Sequence, residues 1–204
     1  MDKKIKELIT TIKKLSACRD SIEWLSSQDN LQQAWEDCER GDWLLWLVAR
    51  LNINERKLFL AKGLVVEQII HLMNDQGSIN AVHAAIDYGN GKIGKDELKI
   101  FADTAYDAAD AAAAAARVAD AYDAYAAACA AAAAYAAYAA AYAAANAHAA
   151  NAAAYATYAA ANAAYVANAD DDDDLSVSGK KLFLKKAAEI IRQVFNFEEI
   201  ESGF

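Results

Sequence analysis

AYDAYAAACAAAAAYAAYAAAYAAANAHAANAAAYATYAAANAAYVANAD, residues 121–170, is the stretch whose reading decides the fold. Between Asp123 and Asp170 lie 46 residues with no formal charge, mostly alanine, with tyrosine and asparagine. Alanine has the best intrinsic helix propensity because it loses no side-chain entropy on ordering. The stretch therefore predicts helix. A single straight helix over 96–169 would be about 110 Å long at 1.5 Å per residue and would present methyl groups to water on every side. Folding back is the expected solution, with the turn at Asn146–Asn151, where asparagines and His148 interrupt the pattern and asparagine tolerates left-handed geometry. A second break is allowed near Arg117–Asp120.

Tyr-x-x-Tyr recurs in the tract at Tyr122/Tyr125, Tyr135/Tyr138 and Tyr155/Tyr158. Residues three apart share a helical face. Two readings stay open. The rings are knobs packed against flat alanine surfaces at short interhelical distance, or Tyr122, Tyr125, Tyr135 and Tyr138 form a stacking surface for a ligand. The tract is not expected to cross a membrane. Alanine is only marginally apolar, leucine and isoleucine are missing from the charge-free run, and four asparagines interrupt it.

Working outward, the upstream end of the tract is acidic. Asp103, Asp107 and Asp110 fall at i, i+4 and i+7 on one helical face, and Asp120 and Asp123 follow. Downstream, Asp170–Asp174 are consecutive aspartates. Placed at a helix C-terminus they oppose the macrodipole, so an acidic loop is expected over 170–179. A closing helix and tail follow over 180–204, with Leu182, Phe183, Ala187, Ile190, Ile191 and Val194 facing inward.

The first 94 residues read as several short amphipathic helices. Ile5, Leu8, Ile9, Ile12 and Leu15 mark the first, and Ile22, Trp24 and Leu25 the second. Asp29 or Asn30 caps a third, carrying Leu31, Ala34, Trp35 and Cys38 and stopping at Gly41. Asp42 is expected to cap Trp43–Leu51, and Asn54 a long helix reaching Met73. Ser78 is expected to cap one ending at Tyr88. The fold class is thus all-α. We expect a multi-helix bundle with a Trp-rich N-terminal part (1–94) and closely packed Ala/Tyr-rich helices (95–169), all in one compact domain.

The chain holds no proline and carries a net charge of −9, with a pI of about 4.8. Repulsion from a phosphate backbone disfavours nucleic acid as a partner. The charge suits a basic protein partner, with Asp103, Asp107, Asp110, Asp120 and Asp123 as the candidate face; equally, it keeps the chain soluble. Three cysteines at wide spacing fit a reducing cytosol, and the amphipathic N-terminus lacks a signal-peptide core. A cytoplasmic location is expected.

No catalytic or metal constellation stands out. Gly89–Glu97 echoes the second half of a calcium loop, but Ile86 and Tyr88 occupy the positions of the first ligands. His71, His83 and His148 are isolated from cysteine at zinc spacing, and His83 reads as a partly buried histidine. No phosphate-cradling glycine loop or nucleophile elbow occurs. Neither cofactor nor metal is expected, and binding is expected rather than catalysis.

Ile22-Glu-Trp-Leu25 and Gln33-Ala-Trp-Glu-Asp-Cys-Glu-Arg-Gly-Asp-Trp-Leu-Leu-Trp-Leu47 carry a block of Trp35, Cys38, Gly41, Asp42 and Trp43. With the Ala-rich middle and the closing Ile190-Ile-Arg-Gln-Val-Phe195 and Phe197-Glu-Glu-Ile200, this resembles a family of bacterial and phage immunity proteins of the Imm5-like type. The resemblance spans nearly the whole chain and departs from the family at Leu64–Ser78 and in the aspartate run. It implies a small stoichiometric inhibitor that neutralises a toxin and supplies no catalytic residues. The block also has a structural explanation: Trp35, Trp43 and Trp46 as N-terminal core, Gly41 as a helix end and Asp42 as the next cap. A second functional reading is a phage-encoded inhibitor of host antiviral defence, one that binds a defence protein or sequesters a signalling nucleotide.

Overall fold

The computed structural model describes residues 2–73, 75–118 and 173–203. Among them the chain forms nine α-helices, one 3-10 turn and no strand, an all-α multi-helix fold. The helices are α1 (Lys3–Lys14), α2 (Arg19–Ser26), α3 (Leu31–Asp37), α4 (Gly41–Leu51), α5 (Glu55–Glu67), α6 (Gln76–Gly89), α7 (Lys95–Val118), α8 (Asp173–Val194) and α9 (Phe197–Glu201). Asp120, Asp123, Tyr122, Tyr125, Tyr135, Tyr138, the Tyr155/Tyr158 pair and the expected turn at Asn146–Asn151 lie outside the described residues.

Short polar side chains start these helices by accepting otherwise orphaned N–H groups. Asn30 accepts from the Gln33 amide at 2.8 Å, and Asn54 accepts from the Lys57 amide at 3.1 Å. Asn196 and Glu199 form a reciprocal capping box at α9. Asp75, rather than Ser78, caps α6: its carboxylate accepts the Ser78 amide at 2.6 Å. Ser78 is instead a fully buried residue of the first turn.

Three further expectations on element bounds are corrected. The helix from Asn54 does not run to Met73. It stops at Glu67, and a 3-10 turn at Ile70–Leu72 follows. Gly41 does not end α3 and Asp42 does not cap α4. α3 stops at Asp37, Cys38 is extended, and α4 begins at Gly41. Asp42 sits in the first turn of α4, where Arg40 occupies both of its carboxylate oxygens. Finally, residues 173–179 are not a loop but lie within α8.

Helices α5, α6 and α7 pack in sequence, and α8 returns to cover α4 and α5. Small residues make the crossings close. A Cβ on Gly41 would lie 2.5 Å from the Ala187 Cβ and 2.8 Å from the Ala188 nitrogen. Gly89 meets the Leu60 backbone in the same manner, at 2.7–2.8 Å. The main core joins α4–α8, with Leu45, Phe59, Val65, Val66, Ile191 and Phe195 almost wholly buried. Ile5, Leu8, Ile9, Ile12, Leu25, Leu31 and Ala34 of α1–α3 form a second cluster beside it. On α8 the inward face differs by one position from expectation. Leu182 is 68% exposed, while Leu184 is buried with Phe183 and Ala187. His83 is likewise exposed, not partly buried.

Among the described residues no helix is long and apolar enough to cross a membrane. Asp103, Asp107 and Asp110 are all exposed on α7, opposite the buried Ala102 and Ala105.

Candidate functional site

Two core clusters that meet without merging leave a cavity where they face each other. It has a volume of about 470 Å³ and an apolar lining, in which all four tryptophans take part. That volume falls in the range of small-molecule pockets, roughly 300–1,000 Å³. Residues of α1–α3 and of α4 line it, together with Phe197 and Ile200 of α9.

The arrangement follows from local sequence. Trp24 sits mid-way along the short helix α2. Trp43 and Trp46, three apart on α4, turn to the same side. Trp24 and Trp43 meet with ring centres 6.0 Å apart and planes tilted by 55°. Only Trp35 is buried; Trp24, Trp43 and Trp46 are half-buried and keep part of their surface open. Of the three tryptophans expected in the N-terminal core, Trp35 is buried in the main cluster, while Trp43 packs partly buried against that cluster and Trp46 against the second.

Polar groups on the lining are few. Arg40 donates from Nε to Asp42 Oδ1 at 2.8 Å and from Nη2 to Asp42 Oδ2 at 2.6 Å. This is the fork geometry of a strong charge-assisted pair. The hydrogen bond and charge of Asp42 hold the Arg40 pKa above its ordinary value. The same guanidinium lies 4.3 Å from the centre of the Trp43 ring, a stacked cation–π contact. Arg50 stands 5.5 Å over Trp46. Cys38 also lines the cavity. Burial pushes its thiol up to about 11, so the nucleophilic thiolate is scarce at neutral pH.

The closing helix holds this wall in place. Arg192 of α8 donates from Nη1 to the Trp35 carbonyl at 3.2 Å and the Cys38 carbonyl at 2.8 Å. These are carbonyls that the end of α3 leaves without intrahelical partners. Ser16, also on the lining, adopts a left-handed φ of 63°, which turns the chain sharply from α1 into α2.

Trp35, Cys38, Asp42 and Trp43 of the sequence block all reach the cavity, whereas Gly41 serves the α4–α8 crossing. Asp103, Asp107 and Asp110 lie on α7, away from the lining. Trp46, Arg40 and Asp20 also line the cavity, though nothing in the sequence marks them as site residues on its own. The one available signal is the Arg40-x-Asp42-Trp43 spacing, which lets an arginine pair with a carboxylate and stack on the next ring. Among the described residues no group of histidine, cysteine and acidic side chains is placed to hold a metal ion. Compared with family models, curated proteins and solved structures, the chain matches none.

Proposed function

We propose that this protein is a non-catalytic binding protein that neutralises a protein partner, taking an apolar anchor of that partner into the tryptophan-walled cavity. The carrying observation is the cavity itself: three half-buried tryptophans around an apolar space of about 470 Å³. Large aromatics exposed at a concave surface are what recognition hot spots are made of, because they bury much area at little entropy cost. The polar lining supports binding over chemistry. Its arginine and one of its carboxylates are tied to each other, and burial disfavours the Cys38 thiolate.

The resemblance of the Trp35–Trp43 block to immunity proteins supplies the setting, an inhibitor of a toxin. The net charge of −9 and the exposed Asp103, Asp107 and Asp110 on α7 suit a basic partner, whose approach they would accelerate. Sequestration of a signalling nucleotide is the weaker version of the alternative reading, since the arginine of the cavity already has its carboxylate. Identifying the genes adjacent to this one, and co-expressing the chain with a toxin gene found among them, tests the proposal. Growth should be restored by the wild-type chain and lost with Trp43→Ala, while Asp107→Lys with Asp110→Lys slows association. Failure of the wild-type chain to restore growth refutes the immunity role.

A further inference from the structure

Three charged side chains line the cavity, and their balance is not neutral. Asp20, Arg40 and Asp42 set one cation against two carboxylates. Arg40 and Asp42 cancel, with two hydrogen bonds between them. Asp20, exposed in the first turn of α2, remains as the charge a ligand would meet. A carboxylate or phosphate entering here would have to displace Asp42 from Arg40 and also face Asp20.

The aromatic walls point the same way. A tryptophan face is electron-rich and attracts cations. Trp43 and Trp46 each hold a guanidinium, at 4.3 and 5.5 Å. Among the described residues no cation lies over Trp24, and Trp24 stands on the same short helix as Asp20. An apolar body therefore fits the cavity, and a positive group attached to it would find both a half-buried ring that holds no cation and a carboxylate.

We infer that the cavity selects a hydrophobic cation, an aromatic or bulky apolar group that bears an ammonium or guanidinium. This rests on the cavity being the binding site, as proposed above. On a protein partner the chemistry is that of an aromatic residue beside a lysine or arginine.

A matched series tests it: 4-phenylbutylamine, 4-phenylbutanol and 4-phenylbutyrate, titrated into the full chain and followed by the indole N–H signals of its tryptophans. The amine should bind about 2- to 5-fold more tightly than the alcohol, the size of an exposed ion pair, and the carboxylate most weakly. Asp20→Asn, an exposed change that leaves the core untouched, should bring amine and alcohol together without altering the alcohol. N-acetyl-Phe-Lys-amide against N-acetyl-Phe-Glu-amide examines the peptide source, with the lysine peptide expected to win. Binding in which the carboxylate or the glutamate peptide is preferred overturns the charge assignment and leaves the cavity reading standing. If no probe moves any indole signal, both fall.

Discussion

Lys62 offers the sharpest quantitative test of this structure. It lies in α5 with 1% of its surface exposed, and its Nζ is 4.0 Å from the centre of the Phe59 ring. Loss of hydration disfavours the charged amine, and burial brings its pKa from the ordinary 10.5 down to about 7. Between those two values the unfolded chain binds a proton that the folded chain has released, so stability rises with pH across that window. Working the linkage from pH 7 to pH 8.5 predicts that the folded state gains roughly 1–2 kcal/mol. For a chain of this length that corresponds to a rise in Tm of about 3–6 °C. The window stops at pH 8.5 for a physical reason. The Cys38 thiol, held near 11 against an ordinary 9.0, keeps its proton in the folded state while the unfolded thiol loses it, which makes stability fall at higher pH. Urea denaturation at the two pH values, on the wild-type chain and on Lys62→Met, gives the comparison. The wild-type midpoint should move upward with pH and the variant should lose most of that movement. An equal rise in both proteins would place the titrating group elsewhere and refute the reasoning.

Removing the Arg192 head group with Arg192→Met should cost about 1.5–3 kcal/mol, because two hydrogen bonds from a charged donor to the end of α3 are lost; an unchanged denaturation midpoint would show that the α8–α3 tie does not hold in solution. Gly41→Ala should cost about 1–3 kcal/mol from overpacking against Ala187 and Ala188. Gly94→Ala, with nothing within 4 Å of the added Cβ, should change stability by less than about 1 kcal/mol, and equal effects at the two sites would contradict the close crossing. Asp75→Ala should lose about 1 kcal/mol of capping energy. Ser78→Ala should gain up to about 1 kcal/mol, since the buried Ser78 hydroxyl has no hydrogen-bond partner. The reverse order in thermal melts would restore Ser78 as the cap.

Much of the fold is legible along the chain. The spacing of Ile5, Leu8, Ile9 and Ile12 marks a buried helical stripe, and those four residues are the buried ones of α1. Asn30 and Asn54 mark helix starts because the side chain that caps lies only three residues from the amide it accepts from. Where two capping residues compete, as Asp75 and Ser78 do, local spacing does not separate them. The inward face of α8 shows a similar limit. Leu182 and Leu184 are equally apolar, and only the neighbouring helices make Leu184 the buried one.

Sequence by itself determines that this chain is helical, because propensity, capping and amphipathic spacing act over three or four residues. It also determines where bulky aromatics fall on each helix. It does not determine whether those aromatics close into a core. Trp24, Trp35, Trp43 and Trp46 belong to three separate helices, and whether they seal a space or leave one depends on how the α1–α3 cluster rests against α4. That placement is set by contacts distant in sequence: Arg192 on the end of α3, Gly41 against Ala187 and Ala188, and Phe197 and Ile200 on the cavity lining. Tertiary packing alone turns a row of tryptophans into a cavity, because an open space is a property of the gap between helices and is written in no one of them.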